Sequence, residues 1–285
     1  MARTYRALGY RFRVEATTGW VDEEVHRHLR PFLDDRDECA GLPIYRLAVE
    51  GDQFVASLDG RAFRESRAPA LPFLELLWRV SYEAIPTVRD LAFHAGAVTL
   101  DGQAIVLPAP SGSGKSTLVA ALVLDGACYL SDEVAPLAGG MIEPFSRALS
   151  LNEGALGLLG TLQDRLPADL GDPNLGERLV APDDLRPGCL GEACPLRLVV
   201  FPSYQPGAPT VVEPMTRAAG VVELISNCLN FGEFGGEGLR IIAAAARGAR
   251  FYRLRGGDLA AAVASVRSLA VAPPRSADPR GRPAK

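Results

Sequence analysis

A nine-residue stretch of mostly small residues has the composition of a phosphate-binding loop. Residues 109–117 read Ala-Pro-Ser-Gly-Ser-Gly-Lys-Ser-Thr and lie between an apolar run and a run with helical spacing. Glycines let backbone amide groups approach an anion, and the first turn of a following helix adds unpaired amides and a positive dipole end. In such a loop the lysine, here Lys115, reaches the terminal phosphates, and the next hydroxyl, here Ser116, binds Mg²⁺. The predicted nucleotide-binding residues are Ser111, Gly112, Ser113, Gly114, Lys115, Ser116 and Thr117.

The loop departs from the usual pattern at its first position, where Ala109 replaces glycine. Because Ala109 precedes Pro110, its backbone is biased towards an extended conformation with negative φ, where a Cβ atom costs little. The two glycines that must let the backbone approach phosphate, Gly112 and Gly114, are present. A Gly/Ser-rich turn between a strand and a helix, without a ligand, is the alternative interpretation.

Two adjacent acids are the candidates for metal binding and for handling an acceptor. Asp132 and Glu133 follow a short apolar run, Cys128–Leu130, that we predict to be a buried strand near the strand that feeds the loop. Ligands bind at the carboxyl edge of open α/β sheets. Adjacent side chains point to opposite sides, so one carboxylate can face the metal and the other an acceptor hydroxyl. Solvated acids at a strand end are the alternative. His94, taken alone, is more often a structural residue than a catalytic one.

The elements around the loop predict an α/β domain. Ala95–Leu100 and Ala104–Leu107 are apolar runs joined by Asp101-Gly102, which is a strong hairpin signal. The strand that feeds the loop is therefore expected to pair with its predecessor, unlike its counterpart in the common doubly wound nucleotide-binding fold. Lys115–Leu124 is predicted to be a helix that ends before Gly126.

The remaining patterns predict four segments. Residues 1–68 form a small N-terminal α+β domain, 69–88 a linking helix, 89–271 the phosphate-loop domain and 272–285 a disordered tail.

Inside the first segment, strands are expected at Tyr10–Ala16, Ile44–Val49 and Gln53–Leu58, and a short helix at Asp22–Leu33.

The second half of the chain carries weaker signals. Residues 152–190 are expected to be a long excursion, and Leu196–Phe201 and Phe251–Leu254 are expected to be strands. Helices are predicted at 218–230, at 239–246 and after the capping residue Asp258. The glycine cluster from Gly232 to Gly238 is predicted to be a mobile loop.

Composition favours a cytoplasmic globular protein. The net charge of −4 gives no reason to expect a nucleic-acid partner. Five cysteines, an odd number, favour reduced thiols. No apolar run reaches the length of a membrane span, and residues 1–10 lack the apolar core of a secretion signal. We therefore expect no membrane partner, and a homo-oligomer is allowed.

With these residues on hand, the chain resembles the HPr kinase/phosphorylase family, and more closely its HPr-kinase-related proteins (the HprK-related kinase A group). The resemblance runs without a gap over residues 94–133, with a weaker echo at residues 214–217 and 229–231. The motifs that carry it are His94-Ala95-Gly96, the Asp101-Gly102 hairpin, the loop at 109–116, the helix to Gly126 and Ser131-Asp132-Glu133.

The resemblance implies an ATP-dependent serine kinase with a fold akin to phosphoenolpyruvate carboxykinase. Carried over by position, Ser116 and Asp132 bind Mg²⁺, Glu133 is the general base and His94 is a functional histidine. Arg217 matches an arginine near the transferring phosphoryl group, whose charge a guanidinium suits. From the residues alone, either acid of the pair could be the base.

The chain departs from the family pattern in three ways. The usual pair of aspartates is Asp132-Glu133 here, the first glycine of the loop is Ala109, and the downstream glutamate-arginine-glycine signature is not recognisable. The missing signature leaves both reverse phosphorolysis and HPr as substrate open.

The related group implies a serine on a precursor peptide, in ribosomal-peptide modification, as acceptor. One alternative is a small-molecule kinase, which a compact pocket near Glu133, closed by the Gly232–Gly238 segment, would favour. The other alternative is a regulatory module that binds ATP without consuming it.

Overall fold

The protein has a mixed α/β fold. The structure, a computed structural model, describes residues 2–36, 40–160, 162–166 and 176–272. Within these ranges the strands form sheets of five, eight and two strands. None of the helices in these ranges combines the length with the apolar composition needed to cross a bilayer.

The N-terminal unit is built on the five-stranded sheet. Residues 2–36 and 40–88 form five strands and two α-helices: β1 (Ala2–Ala7), β2 (Tyr10–Ala16), α1 (Gly19–Leu29), β3 (Ile44–Glu50), β4 (Gln53–Leu58), β5 (Arg61–Ser66) and α2 (Ala70–Ala84).

The five strands lie in chain order. β2 and β3 are parallel and the other neighbours antiparallel. The predicted strands at residues 10–16 and 53–58 are confirmed, whereas β1 was not predicted.

The rest of the described chain, which we call the second unit, supplies the larger sheet and its covering helices. Its elements are β6 (Leu91–Leu100), β7 (Gln103–Pro108), α3 (Lys115–Leu124), β8 (Cys128–Ser131), β9 (Val134–Ala138), β10 (Met141–Ile142), β11 (Leu149–Asn152), α4 (Glu153–Leu158), α5 (Leu162–Arg165), β12 (Glu177–Val180), α6 (Pro182–Leu185), β13 (Cys194–Tyr204), β14 (Val211–Met215), α7 (Arg217–Ile225), α8 (Phe231–Ala245), β15 (Arg250–Gly256) and α9 (Leu259–Val271).

The strand that feeds the loop, β7, lies in the middle of the eight-stranded sheet. It pairs antiparallel with β6 on one side and parallel with β13 on the other, and β15 and β14 follow β13. The predicted hairpin is therefore confirmed. β8 also pairs antiparallel with β6, so it runs in the same direction as β7. The two strands reach the same edge of the sheet, as expected.

Alternation along β7 assigns its side chains to two separate cores. Ile105 and Leu107 belong to the core under α3 and α9, whereas Ala104 and Val106 belong to the core under α7 and α8. Both faces of the sheet are thus covered by helices, which explains why the strands near β7 are apolar on both faces.

Two predictions about the second half are wrong. The glycine cluster is not a loop, because α8 begins at Phe231 and continues through it, with a kink at Gly235. A Cβ atom on Gly238 would lie 3.1 Å from Phe231 Cε2, so close packing of two phenylalanines accounts for this glycine. In addition, α7 ends at Ile225, and residues 226–230 run beside β6 instead of continuing the helix.

The predicted segment boundaries stay predictions. The linking helix α2 packs against the N-terminal sheet, and the same core includes Val134, Phe145 and Leu179 from the second unit. Of the predicted excursion at 152–190, residues 161 and 167–175 lie outside the described residues, and the rest contains α4, α5, β12 and α6. The predicted tail lies outside them beyond Ala272.

Candidate functional site

The loop between β7 and α3 has the geometry of an anion-binding turn. Gly112 and Gly114 adopt left-handed backbone conformations, with φ of +78° and +84°. The first hydrogen bond of α3 runs from the Leu118 amide to the Gly114 carbonyl at 3.0 Å. The amides of the preceding turn, Lys115 to Thr117, therefore have no acceptor within the helix and are available to a ligand. Ala109, where the usual phosphate-binding pattern has glycine, is buried.

The neighbouring strand β13 braces this loop. The Tyr204 amide donates a hydrogen bond to the Ser113 carbonyl at 3.1 Å. A Cβ atom on Gly114 would lie 3.1 Å from Tyr204 Cβ, so a larger residue would crowd this contact. The loop conformation is thus set by the end of an adjacent strand as well as by its own glycines.

Lys115 crosses β6 to reach the acid pair. Its side chain is 5% exposed, and its Nζ atom donates a hydrogen bond to the backbone carbonyl of Asp132 at 2.6 Å. A Cβ atom on Gly96, in β6, would lie 3.3 Å from Lys115 Cγ and 2.4 Å from Val119 Cγ2. The glycine therefore makes room for both α3 and its lysine.

The two acids lie at a break between β8 and β9. Both strands pair with β6, through Ala97 opposite Ser131 and His94 opposite Val134, and Asp132 and Glu133 lie between these pairs. The two acids were predicted to follow a strand end. They instead interrupt a longer extended segment that pairs with β6 on both sides of the break. It brings His94 next to Glu133, with 3.6 Å between Nδ1 and Oε2.

Asp132 is the buried member of the pair. It is 1% exposed, and its Oδ1 atom has no hydrogen-bond partner among the described residues. Burial raises the pKa of Asp132 to about 6, an effect that the Lys115 charge and the Ser116 hydroxyl oppose. A buried carboxylate oxygen without a partner is costly, and a bound cation would satisfy it.

Glu133 and His94, in contrast, line an open cavity of about 480 Å³. Burial, followed by the charge of Lys115, lowers the pKa of His94, while Glu133 opposes the shift. A neutral imidazole beside a partly exposed carboxylate can orient that carboxylate without neutralising it. The adjacent acids therefore occupy different environments, with Asp132 buried and Glu133 at the cavity.

The same cavity is lined by the whole loop and by a mixed outer wall. Residues 110–118 line it together with Ser150, Asn152 and Glu177. Its apolar lining includes Leu158, Leu254, Leu259 and Ala262. A polyanion bound at the loop would thus leave the rest of a ligand against polar and apolar walls, an arrangement that suits a nucleotide.

The structure does not bring Arg217 to this cavity. β14 ends with Met215 opposite Phe251, at the start of β15, whereas the cavity is lined by Arg255 and Gly256 at the end of β15. The five steps from Phe251 to Gly256 correspond to roughly 16 Å of extended chain. Because β14 is antiparallel to β15, Arg217 begins α7 at the opposite edge of the sheet.

Sequence reasoning missed several cavity-lining residues, and Arg255 and Tyr204 are the two with the clearest contacts. Arg255 is a cation at the cavity, and its guanidinium pairs with Glu213 on β14. Tyr204 lines the cavity and contacts the loop. No local motif marks either residue.

The predicted residue Lys115 is also marked by composition, since Lys115 and Lys285 are the only lysines in a chain with 30 basic residues.

The expected Mg²⁺ ligands fit a site completed by a nucleotide. In the described ranges, no three His, Cys, Asp or Glu side chains are grouped so as to hold a metal by themselves. Mg²⁺ commonly takes one or two protein ligands, with phosphates and water completing the octahedron. Ser116 beside the loop and the unpartnered Oδ1 atom of Asp132 suit that role.

Comparisons with known proteins give a distant structural similarity. No family model matches the chain, and no curated protein matches it. Among solved structures, the Hpr(Ser) kinase/phosphatase from Coxiella burnetii is similar with a TM-score of 0.31 and 11% identity, over 63% of this chain and 96% of that chain. A TM-score of this size is too low to establish a common fold.

Proposed function

We propose that this protein is an Mg²⁺-dependent kinase that transfers the γ-phosphoryl group of ATP to a serine hydroxyl of a peptide or protein. The observation that carries the proposal is the contact between Lys115 and Asp132. It joins a glycine loop at a helix N-terminus to an acid pair with one buried and one accessible carboxylate.

The loop side of the cavity would bind the nucleotide. The amides of residues 111–117 and the Nζ atom of Lys115 would hold the β- and γ-phosphates. Ser116 and Asp132 would hold Mg²⁺, which when bound neutralises charge on the phosphates. The Lys115 side chain packs against Gly96 and its Nζ atom contacts the Asp132 backbone, so one residue joins the loop to the acid pair.

Glu133 would act on the acceptor. The serine oxygen would form a bond to the γ-phosphorus while the bond to the β–γ bridging oxygen breaks, and Glu133 would accept the serine proton. His94, 3.6 Å from Glu133, would orient the carboxylate. The protein would mainly position groups and stabilise charge, as is usual for phosphoryl transfer. The role expected of Arg217 stays a prediction of the resemblance, and Arg255 lines the cavity together with Lys115.

A peptide or protein acceptor is favoured over a small molecule. The Gly232–Gly238 segment is helical and does not contribute to the cavity lining in the described chain. A pocket near Glu133 that is closed by this segment would have favoured a small acceptor, and the structure gives no support for such a closure. The serine and the link to ribosomal-peptide modification rest on the sequence resemblance.

The test is transfer of labelled phosphate. The protein would be incubated with γ-labelled ATP, Mg²⁺ and peptides encoded beside its gene, and the products read by mass spectrometry. Phosphoserine that depends on Glu133 and is lost in Glu133→Gln supports the proposal.

Two other results would favour a different function. ATP binding without consumption with any acceptor would favour a regulatory module. Label found only on metabolites from an extract would favour a small-molecule kinase. Lys115→Met is the control for contaminating kinases, since a contaminant would retain its activity in that preparation.

A further inference from the structure

A buried arginine outside the cavity makes no ion pair with a carboxylate among the described residues. Arg147 is 5% exposed, and its Nη1 atom donates to Ser81 Oγ at 3.1 Å, while its Nε atom has no partner among the described residues. An arginine stays charged at any physiological pH. Replacing a buried charge with an apolar residue of similar volume is often stabilising, so packing alone does not explain Arg147.

The segment that carries Arg147 is attached to the strand before the acids. We call residues 145–148 the strap. The Phe145 amide donates to the Leu130 carbonyl at 2.9 Å, and the Tyr129 hydroxyl donates to the Arg147 carbonyl at 2.8 Å. Tyr129 is fully buried, so its hydroxyl would be left unsatisfied if the strap moved. The strap thus holds β8 immediately before Asp132.

The strap also touches the N-terminal unit. Ser81 lies on α2 and donates its own hydroxyl hydrogen to the Leu77 carbonyl at 2.8 Å, so its oxygen accepts from Arg147 in a fixed geometry. The Phe145 ring packs against Phe32, with 5.4 Å between centroids. Beyond the strap, β11 contributes Ser150 and Asn152 to the cavity wall.

We propose that Arg147 is a positioning residue that, through Ser81 and the strap, ties the placement of Asp132 and Glu133 to the docking of the N-terminal unit. Its consequence for catalysis rests on the proposed function, whereas the link itself does not. Arg147 is not among the residues that line the cavity, so it acts through β8 rather than on a ligand.

Hydrogen exchange of the full-length protein tests the link without any assay of activity. Exchange at residues 128–135 would be compared in the wild type, Ser81→Ala, Arg147→Met and Arg147→Lys. The matched control is Arg27→Met, which removes an ion pair of 2.6 Å between α1 and Asp184 in the second unit and does not involve the strap.

We expect severalfold faster exchange at residues 128–135 in Ser81→Ala and Arg147→Met. Arg147→Lys should restore part of the protection, because its ammonium can still donate to Ser81. Arg27→Met should leave this segment as in the wild type. Wild-type exchange in folded Ser81→Ala and Arg147→Met would overturn the proposal. If Arg147→Met does not fold, exchange at residues 128–135 in Ser81→Ala is sufficient to test the proposal.

Kinetics separate this inference from the proposed function. If the wild type transfers phosphate, Arg147→Met should lower kcat about tenfold or more and also weaken Mg²⁺-dependent ATP binding, because it misplaces both Glu133 and Asp132. A wild type that transfers no phosphate, with exchange as expected, would defeat the proposed function and leave the link standing. Active wild type with no exchange response would defeat the link alone.

Discussion

Lys115 and Asp132 are joined by a hydrogen bond of 2.6 Å from the lysine Nζ atom to the backbone carbonyl, across 17 residues of sequence. Because the acceptor is the carbonyl, the bond leaves the Asp132 carboxylate available to a cation. The contact passes over Gly96, so a glycine in β6 is part of the same arrangement. The loop and the acid pair are therefore held in register by the protein's own contacts.

Lys115→Met should reduce ATP affinity at least tenfold, equal to about 1.4 kcal/mol, because the phosphates lose a charged donor. Calorimetric titration with Mg²⁺ and ATP measures the change. The variant should still fold with a cooperative urea transition. Wild-type affinity in the folded variant would contradict the assignment of the loop.

Glu133→Gln should remove phosphate transfer more completely than ATP binding. The amide cannot accept the serine proton, whereas the phosphate contacts lie on the loop. Single-turnover transfer and ATP affinity are the paired measurements. Asp132→Asn is the comparison, and there Mg²⁺-dependent ATP binding should weaken as well. Equal loss of transfer and binding in Glu133→Gln would indicate a metal-binding or structural role.

Arg255 lies at the cavity in the structure, whereas the sequence resemblance assigns the phosphoryl-binding arginine to Arg217. Substitution of each arginine tests which one contributes to ATP binding. Arg255→Met should weaken ATP binding severalfold, since Arg255 lines the cavity, whereas Arg217→Met should not. Both affinities can be measured by the same titration. The reverse result would mean that the resemblance assigns the arginine correctly and that α7 moves to the cavity.

Gly96→Ala should destabilise the protein by about 1–3 kcal/mol through overpacking between β6 and α3. The new Cβ atom would lie 2.4 Å from Val119 Cγ2. Urea unfolding measures the loss, and ATP binding should fall because α3 carries Lys115. Gly19→Ala is the control, with no atom within 4 Å of the added Cβ, and its stability should change little.

His28 should make stability depend on pH. Burial lowers the pKa of His28 in the native state from its ordinary 6.5. Above pH 6.5 both states are neutral. As the pH falls below this value, the unfolded chain takes up a proton that the native state resists. The free energy of unfolding should then fall by up to about 1.4 kcal/mol per pH unit.

Urea unfolding of the wild type and His28→Leu at pH 7.5, 6.5 and 5.5 tests this dependence. The stability advantage of the wild type should shrink towards low pH. Other groups titrate in both proteins, so they cancel in the difference. An equal slope in the two proteins would show that His28 does not titrate differently on folding.

Several elements around the candidate site could be predicted because they are encoded locally. The Asp101-Gly102 turn determines a hairpin, and the capping residue Asp258 starts α9 by accepting from the Ala261 amide at 2.9 Å. The loop and the helix Lys115–Leu124 likewise follow from residues that are neighbours in sequence. These signals depend on backbone conformation, which each residue and its neighbours largely determine.

The rest could not be predicted because it depends on which elements meet. The Gly232–Gly238 cluster looks like a loop, yet packing of Phe231 and Phe234 around Gly238 places it in a helix. The sequence resemblance places Arg217 near the transferring phosphoryl group. In the structure Arg217 begins α7 at the sheet edge opposite the cavity, because β14 is antiparallel to β15.

By itself, the sequence determined the glycine-rich loop between a strand and a helix, its hairpin and the adjacent acids. Only the tertiary structure decided that Asp132 is buried and Glu133 accessible, and that Arg147 connects Ser81 to the strand before them. Turn and cap preferences act over a few residues, whereas burial and unpaired charge arise from contacts between segments far apart in the chain.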